Sequence, residues 1–573
     1  MLRSLTIPFV AISLAAAGQQ AAAQVTLARV DALDRVYPDR APPDFTDIGP
    51  VSVAREGSIA FQFAAVSQQD VSCRMNVGVI ARDDGVPLAG RVATYRLLPV
   101  HVEGNTQGSL KNRPGGEVPE GWMKSLIRPA PFDVMEVLVE ADRVELAAGR
   151  SQAMLVDVEV APEASPGRYT GRFELRLAQE TVSVPFSLLV HQTILPPTHK
   201  LHSVHWFWPM PENLTDGDPP PWWSDRHWEL IESSARQLRR FGDDTVLTPL
   251  VDGREPLIRV SRDEREDYAF DYARFDRWVE TFLRLGFNTF AGRHVVSMGR
   301  EVWVLDRSSG AIEPLLEKPN DREAWLRFLP VFYDSLFRHL EERKWTDRYL
   351  QHQYDEPKDP ELYKRLVGLA RRHMPGVRTI DAINSRPEAF SPLVDAHVFN
   401  LITLLRNAEL ADRRRAEDRA VWLYHCTSPY PPYPNRHLDR PLAECRLWPW
   451  ICYRWRAEGF LYWAANLYRG ADEYKTSIGP FPNGSQDPGH PPGDAWFYYR
   501  GPDGLRPSMR IVAFRSGLVD HTLLTMLAEK DGKLAEEIAR EVVPSATEYR
   551  TDPAVYHNAR RRILAALDGE PAP

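Results

Sequence analysis

Asp347-Arg348-Tyr349-Leu350-Gln351-His352-Gln353-Tyr354-Asp355-Glu356-Pro357 is the stretch that decides the fold. Its first eight residues read as a β-strand, which halts on two carboxylates and a proline. A helix-like pattern follows over 360–372. A strand that hands over to a helix in this way is one βα unit, and βα-barrel enzymes keep their chemistry at the C-terminal ends of their strands. Asp and Glu are also the acid and base types that glycosidic cleavage uses. The structural alternative is a solvated Asp-Glu turn before proline.

The same alternation repeats outward from this stretch. Further strands are expected at 202–207, 245–250, 288–295, 378–383, 396–400, 420–426 and 459–466. Between them lie amphipathic helices, one burying Trp228, Ile231, Ala235 and Leu238. Another buries Phe275, Val279, Phe282 and Leu285 and is closed by Gly286, and a third runs over 322–342. About eight βα units predict a (β/α)8 barrel of the TIM type. Before it, short period-two runs at 59–63, 93–98, 154–160, 169–175 and 182–188 predict a β-sandwich. Leu195-Pro196-Pro197-Thr198 reads as the linker.

The expected divisions are a signal peptide at 1–23, the sandwich at 24–197, the barrel at 198–535 and a C-terminal helical tail at 536–573. Helix is expected again from Ser508, with a last helix over 554–567. The Pro- and Gly-rich stretch 467–507, carrying Phe481, Asp494, Trp496, Tyr498 and Tyr499, is expected to wall the active site.

A net charge of −8 argues against a general nucleic-acid binder. The 16 Trp, 20 Tyr and 23 Phe supply rings that suit sugar faces, although most aromatics are core. Arg3, an apolar run over 5–17 and Ala21-Ala22-Ala23 form a Sec signal pattern with a mature start near Gln24. A periplasmic or secreted protein is expected, with no membrane anchor and no other stretch able to span a bilayer. Cys73, Cys426, Cys445 and Cys452 are expected to be free and buried, the pairing of the last three being left open. No Cys/His spacing suits zinc, and no metal or cofactor is called for.

Two adjacent carboxylates constrain the mechanism. A retaining glycosidase of the common type draws its nucleophile and its acid from different strands. Neighbours on one strand normally face opposite ways, but a bend at the strand's end brings both to the mouth. Such a pair suits a substrate that supplies its own nucleophile, the 2-acetamido oxygen of an N-acetylhexosamine. Asp355 would then orient the acetamido nitrogen and Glu356 would serve as acid/base, with a pKa raised by the like charge beside it. His294, at the end of the third strand, is a candidate for a sugar hydroxyl or a carboxylate. Tyr424 is a candidate to hold the acetamido oxygen and Trp463 to floor the sugar. Asn466 and Asp494 are further binding candidates. For each of these the alternative is a structural role.

These residues together resemble glycoside hydrolase family 123, the β-N-acetylgalactosaminidases, and the wider domain family that shares its C-terminal half. The similar motifs are Tyr354-Asp355-Glu356-Pro357, Trp422-x-Tyr424-x-Cys426 with Pro429 and Asn435, and Arg446-x-Trp448. Gly459-Phe460-Leu461-Tyr462-Trp463-Ala464-x-Asn466, Gly493-Asp494, Pro507-Ser508-x-Arg510 and Arg515-x-Gly517-x-x-Asp520 follow in order. The resemblance implies a sandwich ahead of a barrel and retaining, substrate-assisted hydrolysis of a terminal β-linked N-acetylhexosamine. Its Asp-Glu pair maps onto Asp355 and Glu356. The chain departs at Ser516 and Val519, where acidic residues are usual, at His521, where an aromatic is usual, and in a reduced Gly292-Arg293-His294. Another sugar on the same scaffold, or a carbohydrate-binding protein without turnover, stays open at this point. The glycan itself, exo or endo action and the oligomeric state stay open too.

Overall fold

The structure, a computed structural model, describes residues 25–47, 49–105, 125–265, 267–295, 302–316, 321–479 and 490–569. The signal sequence expected over 1–23 and Phe481 lie outside the described residues.

Eight parallel strands form a nearly closed barrel. They are β1 (His202–His205), β2 (Thr245–Thr248), β3 (Thr289–Gly292), β4 (Tyr349–Gln351), β5 (Arg378–Ala382), β6 (Ala396–Asn400), β7 (Ala420–Tyr424) and β8 (Gly459–Tyr462). Hydrogen-bonded neighbours run from β2 through β3 to β8 and then to β1. At the remaining seam the Asp244 N–H donates to the Ser203 carbonyl over 3.1 Å, linking β1 to the start of β2. The strands face an inner layer that includes Val204, Leu247, Leu350, Ile380, Val398, Trp422 and Leu461.

Helix α1 (Asp225–Arg240) begins at a Ser224 cap and buries the expected Trp228, Ile231, Ala235 and Leu238. Helix α2 (Ala273–Arg284) stops just before Gly286, whose φ of +91° is open to glycine and costly for other residues. Helix α3 (Arg322–Glu342) has the expected bounds and an Asp321 cap. Helix α4 (Pro360–His373) starts at Asp359 with proline in its first turn, where no N–H partner is lost. The fifth and sixth units are lighter, with α5 (Pro387–Phe390), α6 (Leu401–Arg406) and α7 (Ala408–Ala416). Helices α8 (Ala443–Arg454), α9 (Met509–Val542) and α10 (Pro553–Asp568) complete the set.

Strand β4 is shorter than the run 347–354 suggests. A 3-10 turn takes Thr346–Arg348. Beyond the strand, the Gln353 and Tyr354 N–H groups turn away from the ladder and donate to the Asp381 carboxylate. A small four-stranded sheet, made of Arg259–Arg262, Tyr268–Asp271, Trp303–Asp306 and Ile312–Pro314, was not foreseen.

The N-terminal region is β-rich. One sheet orders Val25–Val30, Ser58–Ser67, Ser151–Val160, Gly90–Val102 and Phe132–Glu140. The other orders Val51–Arg55, Thr181–Ile194, Gly167–Arg176, Val71–Val77 and Arg143–Leu146, with Ala81–Arg82 beside it. Residues of both sheets share one apolar cluster, in which Phe63 stacks on Phe173 at 4.4 Å between ring centroids.

Buried ion pairs join this region to the barrel. Glu136 accepts from Arg510 at 2.6 Å and from Arg35 at 3.3 Å. Asp157 accepts from Arg240 at 2.9 Å and from Arg515. Trp496 and Tyr499, expected to wall the active site, instead pack with Val100, Val102 and Phe132 at this seam. Their large apolar faces are better hidden there than at a wet mouth.

Helix α9 corrects another expectation, since it is long and apolar enough to cross a membrane. Here it is a core helix, kinked at Asp531 and pressed on α8. A Cβ at Gly517 would stand 2.3 Å from the Arg446 carbonyl, so only glycine permits that approach. The boundary drawn at 535/536 falls inside α9. All four cysteines are free; Cys73, Cys445 and Cys452 are buried, and Cys426 is partly so.

Candidate active site

Asp355 and Glu356 lie just beyond β4 at the mouth of the barrel, and both side chains reach solvent. The bend that allows this is at Glu356, whose φ of +46° is left-handed. Such a conformation is uncommon for a residue with a Cβ, and strain of this kind gathers at functional sites. The Glu356 N–H holds the bend by donating to the Ala382 carbonyl over 3.0 Å.

The two carboxylates have different surroundings. Glu356 leans towards β5 and β7. Its Oε1 accepts from the Tyr424 hydroxyl at 2.6 Å and from Asn384 Nδ2 at 2.9 Å. Asn384 and Tyr424 also touch each other, and Asn384 Oδ1 accepts from the Asn400 N–H at 3.1 Å. The other oxygen of Glu356, Oε2, makes no hydrogen bond among the described residues.

Asp355 leans towards β3 and β5. His294 Nε2 stands 4.0 Å from Asp355 Oδ1 and 4.0 Å from Asp381 Oδ1. Crowding by protein, then the charges of Glu356 and Asp381, push the Asp355 pKa up to about 7. Half of the side-chain surface, 51%, is still open to solvent, which offsets part of the desolvation. The two like charges act in the same direction regardless. Burial, then the neighbouring His352 and Arg293, hold His294 well below the usual imidazole range, so it stands neutral.

Asp381 is fully buried, and burial raises its pKa. It accepts from the Gln353 and Tyr354 N–H groups and from the Tyr363 hydroxyl at 2.8 Å. It therefore braces the segment that carries the pair. His294, His352 and Asp381 bring three ligand atoms within 4.8 Å of one another, the spacing of a small metal-binding group. The hydrogen bonds already made by Asp381 favour bracing over ligation.

The remaining candidates divide between mouth and frame. Tyr424 reaches the pair directly. Trp463 is partly exposed, with His490 at 4.8 Å and the Arg469 guanidinium at 5.7 Å from its ring. Asn466 is fully buried. It brackets Trp208, accepting from its N–H and donating to its carbonyl, both at 2.9 Å. Asp494 is fully buried too and accepts from the Tyr462 hydroxyl at 2.6 Å. Histidines 437 and 490 beside it hold its carboxyl well below the usual range. Neither side chain reaches solvent.

Sequence reasoning missed Asn384, Asp381 and His352. Asn384 and Asp381 flank the end of the fifth strand, where a barrel places site residues. The Asp252–Arg293 pair, which lies under Trp208, was missed as well.

The family described as glycoside hydrolase 123, catalytic domain, matches residues 208–527. Among solved structures, a family 123 glycoside hydrolase from Clostridium perfringens, studied for glycolipid glycan hydrolysis, is similar with a TM-score of 0.72. The two chains are 14% identical over 95% of this chain and 97% of that one. A termite-gut GH10 xylanase with a bacterial Ig-like domain has a TM-score of 0.29 at 9% identity, over 64% of this chain and 90% of its own. A β-D-glucuronidase from Dictyoglomus thermophilum has 0.31 at 10% identity, over 82% and 69%. Those two likenesses are too slight to carry an argument. No curated protein matches the sequence.

Proposed function

The chain belongs to glycoside hydrolase family 123, a glycosidase family, and from that premise we propose that it is a retaining β-N-acetylhexosaminidase acting on N-acetylgalactosamine. In this reading the sugar's own acetamido oxygen is the nucleophile. The observation that carries the reading is the unlike surroundings of the two adjacent carboxylates. Both sit on one bend, too close in the chain to take opposite faces of a sugar. Each nevertheless has its own task to suit.

The acetamido oxygen attacks C1 as the C1–O bond to the leaving group breaks. Glu356, carrying its proton on the open Oε2, gives it to the departing oxygen. Asp355, ionised, accepts the acetamido N–H and stabilises the positive oxazolinium ring. A water then attacks C1 and gives its proton to Glu356, which reopens the ring and restores the acetamide. Two displacements at C1 leave its configuration retained. Tyr424 is within reach to hold the acetamido oxygen, and Trp463 supplies an apolar face for the sugar. The glycolipid glycan hydrolysis studied in the Clostridium protein is consistent with a glycan substrate of this kind.

On an aryl β-N-acetylgalactosaminide, Glu356→Gln is expected to abolish turnover and Asp355→Asn to slow it by about a hundredfold or more. A thiazoline analogue of the sugar should inhibit the wild type competitively. Full activity in both variants would remove the assignment. Export is part of the proposal: the N-terminal pattern over 1–23 predicts mature protein starting near Gln24. N-terminal sequencing of protein from the periplasm or medium tests it.

A further inference from the structure

Across the mouth from Glu356, the loops after β1, β2, β3 and β8 enclose a cavity of 520 Å3. That volume lies in the range of ligand sites. Trp208, Trp222, Trp223, Arg254, Arg293 and Arg469 line it.

Trp223 adopts a left-handed φ of +59°, unusual for an aromatic residue. Its N–H donates to His227 Nδ1 at 2.9 Å and its indole N–H to the Glu255 carbonyl at 3.1 Å, which hold the turn. The turn leaves Trp222 37% exposed, with its ring 5.5 Å from that of Trp223. A tryptophan kept in water by a strained neighbour costs stability, and a stacked sugar ring would recover it.

Among the described lining residues there are three arginines, Arg254, Arg293 and Arg469, and two carboxylates, Asp252 and Glu255. Both carboxylates are already matched, Asp252 by Arg293 and Glu255 by Arg274 at 3.0 Å. Arg254 lies over the Trp303 ring at 4.2 Å and makes no ion pair among the described residues.

Position decides what the cavity faces. Glu356 is tied to the β5 and β7 side through Asn384 and Tyr424, so the group it protonates leaves on that side. The cavity lies opposite, beside Trp463 and next along the chain from His294. In the hexosaminidase reading, it would face the non-reducing side of the hexosamine.

We propose that this cavity is a subsite for an acidic sugar attached to the non-reducing side of the cleaved hexosamine, so that the enzyme cuts at an internal residue. The proposal rests on the hexosaminidase reading and replaces the terminal hexosamine expected from sequence. Trp222 and Trp208 take the faces of the added ring, and Arg254 meets its carboxylate.

Four aryl glycosides test it: a plain β-N-acetylgalactosaminide, a sulfated one, and two extended at the non-reducing side by a neutral hexose or by a hexuronic acid. The hexuronyl glycoside should be cleaved to the intact disaccharide, with kcat/KM about tenfold above that of the neutral one. Trp222→Ala should lower kcat/KM on the extended substrates about tenfold relative to the plain one. Arg254→Ala should remove the preference for the acid. Cleavage of the plain substrate with neither extended one touched would overturn the subsite and leave the hexosaminidase reading standing. A gain confined to the sulfated monosaccharide would overturn the added sugar and assign the charge to an ester. Equal rates on the two extended substrates would overturn the acidic assignment. Failure on all four would overturn the hexosaminidase reading and this one with it.

Discussion

Asp355 and Glu356 differ by one methylene, yet the fold gives each its own neighbours. Glu356 is held by Tyr424 and Asn384 on one side, while Asp355 faces His294 and the buried Asp381 on the other. Burial, then the like charges of Glu356 and Asp381, raise the proton affinity of Asp355. A pH profile follows. If ionised Asp355 accepts the acetamido N–H, kcat/KM should fall as pH drops below about 7. Replacing Glu356 by Gln removes one like charge, and the Asp355 titration should then move to lower pH, read by carboxyl NMR rather than by turnover.

Stability should respond in the opposite sense. A carboxyl whose folded pKa lies above its ordinary 3.8 binds its proton more tightly when folded. Its stabilising contribution is complete below pH 3.8 and is lost as pH rises through about 7. Asp355→Asn should therefore raise Tm relative to wild type at about pH 8, and the gain should disappear near pH 4. Calorimetry at the two pH values checks this.

At the scale of elements, the motifs that carried the family likeness are mostly braces. Asp520 accepts from Arg446 at 2.7 Å, Arg560 at 2.6 Å and Trp450 at 3.0 Å, pinning α9 to α8 and α10. Asn435 donates to the carbonyls of Cys426 and Pro429 at 2.9 and 3.0 Å, shaping the loop after β7. Arg510 reaches from α9 to Glu136, and both side chains have no solvent exposure. Glu136→Ala would leave Arg510 and Arg35 buried without their carboxylate, an expected loss of about 3–5 kcal/mol. Urea unfolding monitored at both the β-rich region and the barrel would show it. Glu136→Gln keeps the shape and an acceptor and should lose less.

For the whole molecule, legibility followed the range of the forces involved. Helix α3 could be read to the residue because its cap, Asp321, and its apolar face are local. The Asp355-Glu356 bend was legible because strand, carboxylates and proline are consecutive. Strand β4 was read too long because what ends it, the Asp381 carboxylate, arrives from another strand. Asn384 and His352 were missed for the same reason, since each gains its meaning only across the barrel. The small sheet was missed because its strands have three or four residues and show little burial contrast. Asn466 and Asp494 are buried against Trp208 and Tyr462, contacts that their positions in the chain do not show.

The claim that the substrate supplies the nucleophile is tested most directly by weakening that nucleophile. Aryl β-N-acetylgalactosaminides with zero, one, two or three fluorines on the acetyl methyl differ little in size but progressively in the basicity of the acetamido oxygen. The account predicts that kcat/KM falls with each added fluorine. A rate that does not change along the series would contradict it.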